Sequence, residues 1–185
     1  MTTCETLYTI LPSEDSTLAL EVSKTGLMKA RKHALIFERF KGELRFAPDQ
    51  LEVSCLKITI DAQSLICRDK WLKPKKQQAI AQYAKNEALV VDCFPEIKFT
   101  STRISHKALR GFLVEGTLQI CDVTKAVKVN IVLNPSKKTR LQIDGDANLK
   151  MSDFGIKPPS SFLPFARTED QALVRILLWA TPPAL

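Results

Sequence analysis

Few side chains of this 185-residue chain suit catalysis by their type and spacing. The two histidines are His33 and His106, and carboxylates such as Asp61, Asp69 and Asp92 are available as partners. A histidine base needs a nucleophile and an orienting carboxylate within hydrogen-bond reach, and no sequence motif brings such groups together here. We therefore predict no catalytic residues and no enzyme. A histidine or acid that faced a cavity would favour the alternative, a barrel-fold enzyme with an unrecognised site.

The cysteines suggest neither a disulfide framework nor a zinc site. Their number is odd and no two form a CxxC pair; they are Cys4, Cys55, Cys67, Cys93 and Cys121. Such a pattern favours buried, reduced thiols. Because only two histidines are present, a histidine-rich metal site is also not expected. We predict no metal and no cofactor.

The formal net charge of +7 is concentrated in two windows. Residues 24–45 carry seven basic and two acidic side chains, and residues 68–76 carry five basic and one acidic. Such windows can attract an anionic head group, a membrane surface or a nucleic acid backbone, although a solvated charged face explains either window equally well. Apart from Trp71, aromatic residues do not alternate with the lysines as base-stacking platforms would, so nucleic acid is the least favoured partner.

Neither a membrane span nor a secretory signal is visible. The apolar segment 173–180 is short and contains Arg175, which argues against a transmembrane helix. The first fifteen residues lack the basic start, apolar core and cleavage site of a signal peptide. We expect a single domain over residues 1–185 that resides in the cytoplasm. A truncated N-terminus would instead allow a periplasmic protein.

Alternation of apolar and polar residues predicts strands over most of the chain. The segments 97–104, 112–120 and 127–133 alternate regularly and are separated by short polar turns, which indicates an antiparallel meander with one apolar face. Further strands are predicted at 16–23, 33–40, 43–46, 51–60, 139–151 and 171–180. We expect a bend at Lys41-Gly42, or one long strand kinked at Gly42, and a bulge near Cys55 or burial on both faces there.

One segment has helical rather than strand periodicity. Ile80, Tyr83, Ala84 and Ala88 recur at helical spacing within the polar segment 74–88, and Pro74 suits the first helical position. The predicted fold is therefore all-β: an up-and-down antiparallel barrel of about eight strands with one inserted α-helix. The interior of such a barrel is either filled by side chains or holds one small ligand.

Several short motifs, in their order and spacing, match a known family over most of the chain. They are Tyr8 and Ser16; Phe37, Phe40 and Gly42; Arg68-Asp69; FPEIKFTS at 94–101; GTLQI at 116–120 followed by Val123-Thr124-Lys125; and Asp153-Phe154-Gly155-Ile156. The chain resembles the YceI-like family of lipocalin-like β-barrel proteins, which bind polyisoprenoid or related long-chain amphiphiles. It differs where many members have a His-Leu pair after Arg-Asp, since Trp71-Leu72 stands there, and its helical segment is longer and more basic.

The resemblance implies that the barrel interior binds, stores or transports an isoprenoid or fatty-acyl lipid. An apolar interior suits such a chain, because each CH2 removed from water contributes about 0.8 kcal/mol. Strand parity leaves open which alternate set of residues faces inward, and each residue could equally serve packing alone. The candidate lining residues are Phe37, Ile58, Ile60, Phe99, Phe112, Val114, Leu118, Ile120, Val129, Ile131 and Leu149.

A polar head group would need hydrogen-bond donors at the mouth of the barrel. Arg68, Lys70 and Lys73 are the candidates, together with the free N–H groups at the start of the helix. An alternative is that Arg68 and Asp69 form a structural ion pair. A transient contact with an anionic membrane and a homodimer are left open.

Overall fold

The computed structural model describes residues 5–24, 32–136, 140–157 and 168–183. Antiparallel strands account for most of them. The strands are β1 (Thr6–Ile10), β2 (Thr17–Lys24), β3 (Lys32–Phe37), β4 (Phe40–Phe46), β5 (Cys55–Asp61), β6 (Leu65–Cys67), β7 (Glu96–His106), β8 (Gly111–Ile120), β9 (Val123–Pro135), β10 (Leu141–Lys150) and β11 (Thr168–Thr181). Helix α1 (Pro74–Tyr83) continues into a π-helical turn, Ala84–Ala88.

The eleven described strands close into a barrel. Going round the barrel there are eight places for a strand, which we call wall positions. The first three positions each hold two strands in succession: β1 then β2, β3 then β4, and β5 then β6. Strands β7 to β11 supply the other five, and β11 pairs with both β2 and β1. The predicted up-and-down antiparallel barrel with one inserted helix is confirmed, and the predicted meander corresponds to β7, β8 and β9.

The helix lies next to β6, at the wall position that β5 and β6 share. Strand β5 pairs with β7, whereas β6 pairs with β3 and, within the described part of the chain, with no strand on its other side. Helix α1 follows β6 and packs against it. Its first residue is Pro74, which fits the predicted helix start. None of the described helices is long and apolar enough to cross a membrane.

Two predicted element boundaries are wrong. The interruption after β3 falls at Glu38 and Arg39, because Ser64 and Asp61 bind this corner: the backbone N–H of Arg39 donates to Ser64 Oγ at 3.0 Å. Gly42 lies within β4, where its missing Cβ lets the Lys57 carbonyl approach.

The predicted strand 51–60 begins only at Cys55, because Leu51–Val53 forms a 3₁₀ turn. This turn accounts for the change of apolar parity within the predicted strand.

The end of the barrel away from α1 is filled by side chains. Ile10, Leu44 and Val114 are completely buried there. Phe46 and Phe112 pack edge to face, with ring centroids 5.4 Å apart. This end is therefore solid core, which leaves the half of the barrel near α1 as the only part of the described interior that could be hollow.

Gly116 sets the position of an aromatic ring inside the barrel. A Cβ at Gly116 would lie 2.5 Å from the Thr100 carbonyl oxygen and 2.8 Å from the Phe99 ring. We expect Gly116→Ala to lower the free energy of unfolding by about 1–3 kcal/mol, because the ring and backbone must shift. Gly111→Ala is the control, since its nearest neighbour would be the Ala108 Cβ at 3.3 Å. Urea unfolding measures both, and equal losses would contradict the close approach.

Candidate functional site

An apolar cavity of about 210 Å³ occupies the half of the barrel nearest α1. One water molecule needs only about 10–15 Å³ on the same measure, so the space is large enough for part of an organic ligand. Cavities with such apolar walls stay dry and take up apolar molecules. The cavity approaches the surface at the α1 end, where the exposed residues Tyr83 and Lys150 belong to its lining.

Most of the predicted lining residues face this cavity. Nine of the eleven do so: Phe37, Ile58, Ile60, Phe99, Leu118, Ile120, Val129, Ile131 and Leu149. The prediction that Phe112 and Val114 line the cavity is wrong, because they lie beyond the cavity in the solid end of the barrel. Contact of the nine with a ligand stays a prediction.

The sequence prediction missed several parts of the cavity wall, two of which are a strand and the helix. One is β2, whose Leu18, Leu20 and Val22 line the cavity, and the alternation of these residues could have revealed them. The other is the helix, where Ile80 and Ala84 cover the cavity from the α1 side. Their spacing of four residues marks one helix face, but periodicity alone does not say what that face covers.

A turn that belongs to the cavity wall is held by Asp170. The 3₁₀ turn Met151–Phe154 contributes Met151 and Phe154 to the lining. The Asp170 carboxylate accepts hydrogen bonds from the backbone N–H of Ser152 at 2.8 Å and from its hydroxyl at 2.6 Å. These bonds lower the pKa of Asp170. Their stabilisation is therefore present above the ordinary aspartate pKa and is lost as the pH falls through the lowered one.

A paired histidine stands at the rim of the cavity. His33 belongs to the lining, and its Nδ1 lies 2.5 Å from Oδ2 of Asp69. Oδ1 of Asp69 accepts the backbone N–H of Ala34 at 2.7 Å, and the Asp69 side chain is only 1% exposed. The Trp71 ring stacks against the imidazole with a centroid distance of 5.5 Å. Asp69 and Trp71 thus hold the imidazole against the opening of the cavity.

The predicted head-group residues lie outside the cavity. Arg68, Lys70 and Lys73 are exposed on the surface beside the start of α1 and do not belong to the lining. The predicted ion pair between Arg68 and Asp69 is wrong, since Arg68 binds Glu38 at 3.0 Å. The Asp69 carboxylate is instead hydrogen-bonded to His33 and to the backbone N–H of Ala34.

The cysteines do not add a nucleophile to the histidine pair. Cys67 is buried beside Asp69, and burial raises its pKa to about 11, so the thiol is protonated at neutral pH. Cys55 and Cys121 are half-buried and Cys93 is exposed, so burial holds fully only for Cys67; Cys4 lies outside the described residues. No group of three or more potential metal ligands occurs among the residues with described positions.

Comparison with known families agrees with this architecture. The family model described as the YceI-like domain matches residues 8–177. The chain belongs to the YceI-like family. Curated relatives are the UPF0312 proteins of Pseudomonas savastanoi pv. phaseolicola and Pseudomonas syringae pv. tomato, each 27% identical over 132 residues. The match covers 66% of this chain and 63% of each relative, so the aligned region spans less than two thirds of their length.

Solved YceI-like barrels share the fold. BcnA of Burkholderia cenocepacia superposes with a TM-score of 0.70 at 18% identity, covering 88% of this chain and 96% of BcnA. A polyisoprenoid binding domain from Saccharophagus degradans superposes with a TM-score of 0.63 at 12% identity, covering 95% and 98%. The YCEI protein of Campylobacter jejuni gives 0.55 at 18% identity, covering 82% and 85%. At these identities the likeness shows the fold alone.

The cysteines provide a chemical probe of the burial beside Asp69. With a pKa of about 11, Cys67 has roughly one thiolate in a thousand at pH 8, and its side chain is buried. We expect iodoacetamide to modify exposed Cys93 quickly and to leave Cys67 unmodified in the folded protein, as read by peptide mass spectrometry. Labelling in urea is the control, where both cysteines should react. Equal rates in the folded protein would contradict the described burial of Cys67.

Proposed function

We propose that the protein binds an isoprenoid or another long-chain lipid in the barrel cavity and acts as its carrier or store. The observation that carries this proposal is the apolar cavity beside α1, whose lining comes from all eight wall positions. A hydrocarbon chain that enters it leaves water and gains about 0.8 kcal/mol for each CH2 buried. The likeness to a domain described as polyisoprenoid binding supports the same ligand class.

We further propose that the protein is not an enzyme. His33 and Asp69 have the arrangement of a base and its orienting carboxylate, which is the observation that favours the enzyme alternative. Within the described ranges, however, no hydroxyl or thiol is hydrogen-bonded to His33, and the nearby Cys67 is held protonated. These features support ligand binding without group transfer.

A transient contact with an anionic membrane is the second part of the proposal. Trp71 and Tyr83 are 39% and 42% exposed at the α1 end, where the cavity approaches the surface. The Lys24 ammonium lies 5.6 Å from the Trp71 ring centre, which brings the two basic windows of the sequence together. Lys73, Lys75 and Lys76 surround the helix start. Aromatic rings with adjacent lysines suit the interface of an anionic bilayer, where a lipid would be exchanged.

The bound lipid can be tested directly and by filling the cavity. Organic extraction of the purified protein followed by mass spectrometry should reveal a long-chain amphiphile. Ala147 is buried and lines the cavity, so Ala147→Phe should weaken binding of the apolar fluorophore N-phenyl-1-naphthylamine on the order of tenfold, because the ring displaces several buried CH2 equivalents.

The matched control is Ala126→Phe, which adds the same ring on the exposed face of β9. It should bind the fluorophore as the wild type does, and circular dichroism should confirm that both variants are folded. Unchanged binding by folded Ala147→Phe, together with an empty extract, would contradict lipid binding in the cavity.

Membrane contact should depend on the lysines beside α1. We expect the triple variant Lys73→Glu, Lys75→Glu, Lys76→Glu to lose sedimentation with phosphatidylglycerol vesicles, because each lysine contributes about 1 kcal/mol near an anionic surface. Binding of the wild type should also weaken as salt is added. The control with the same charge change is Lys41→Glu, Lys57→Glu, Lys125→Glu, on exposed positions of β4, β5 and β9. Equal losses in both variants would indicate an effect of net charge alone.

A further inference from the structure

The hydrogen bonds of Asp69 define the tautomer of His33. Both carboxylate oxygens act as acceptors, one from the Ala34 N–H and one from the His33 ring. An ionised carboxylate can only accept, so the Nδ1 of His33 must carry the proton that is shared with Asp69. In the neutral ring, Nε2 then has a free lone pair and is a hydrogen-bond acceptor. Among the described residues, nothing donates a hydrogen bond to Nε2.

The position of His33 distinguishes it from the other residues that line the cavity. His33 pairs with Val22 on β2, which pairs with Ala172 on β11, which pairs with Leu149 on β10. All four line the cavity, so His33 is the polar member of a cross-strand row of apolar side chains. Its side chain is 13% exposed, and the Trp71 ring covers one side of it. Water therefore has little access to the imidazole.

We propose that Nε2 of His33 accepts a hydrogen bond from a hydroxyl group at the polar end of the bound lipid. The ligand class is then a long-chain alcohol, with its tail among the apolar walls and its hydroxyl at the rim. This inference rests on the proposed lipid binding and assigns the orientation of the ligand. The exposed lysines beside α1 are outside the cavity and do not compete for this hydroxyl.

The test compares probes with the same isoprenoid skeleton. Farnesol carries the hydroxyl, farnesyl methyl ether can accept but not donate, and farnesene has no oxygen; each is measured by displacement of N-phenyl-1-naphthylamine. His33→Asn is the decisive variant, since its amide N–H can still donate to Asp69 while the ligand-facing nitrogen is gone. Loss of one hydrogen bond should lower the ratio of farnesol to farnesene affinity about three- to tenfold.

In His33→Asn, the affinities for farnesene and for the methyl ether should change by the same factor, while the affinity for farnesol falls further. An equal loss for farnesol and the ether would overturn the acceptor role, and an unchanged farnesol to farnesene ratio would overturn the role of His33. Failure of all three probes to bind the wild type would instead refute lipid binding itself. Should His33→Asn not fold, nitrogen NMR of the wild type decides: the Nε2 resonance must shift with farnesol and not with farnesene.

Discussion

The structure depends on one constraint: a closed eight-position barrel must bury its apolar inner face, yet its side chains fill only one end. Ile10, Leu44 and Val114 close the end away from α1, where their side chains are completely buried. At the other end the walls face about 210 Å³ of empty space and lose the dispersion contacts that a filled core would supply. An apolar molecule in the cavity would restore those contacts, which is the physical basis of the proposed lipid binding.

The wall positions that hold two successive strands leave space for the opening of the cavity. The corner between β3 and β4 is bound by Ser64, whose hydroxyl donates to the Asp61 carbonyl at 2.6 Å and accepts the Arg39 N–H at 3.0 Å. This corner turns β6 along β3 and away from β7. Helix α1 then covers the split edge, where unpaired backbone groups would otherwise be exposed. The interruption between β5 and β6 therefore leaves the edge that the helix covers, and it also shapes the rim of the cavity.

The sequence predicted the regular part of this arrangement and missed the irregular part, for physical reasons. Long alternating strands such as β7 to β9 carry enough residues for the period to be unambiguous, whereas β1 has five residues and β6 has three. A bend at Lys41-Gly42 is the sequence prediction because glycine permits it, but the hydrogen bond that Ser64, distant in sequence, accepts from the Arg39 N–H places the break before β4. Alternation likewise grouped the residues of β8 that share one face but not their depth along the barrel axis, so it could not show that Phe112 and Val114 lie at the filled end.

The site at the rim was least accessible from sequence, because His33 and Asp69 are 36 residues apart and meet only through the pairing of β3 with β6. Charge density pointed instead to Lys70 and Lys73, which stay exposed. Desolvation explains the difference: an ammonium group loses far more hydration on entering an apolar cavity than a neutral imidazole does. An imidazole whose Nδ1 is hydrogen-bonded to Asp69 can therefore meet a polar group inside the rim. The lysines stay on the solvated surface, where long-range attraction to an anion needs no desolvation.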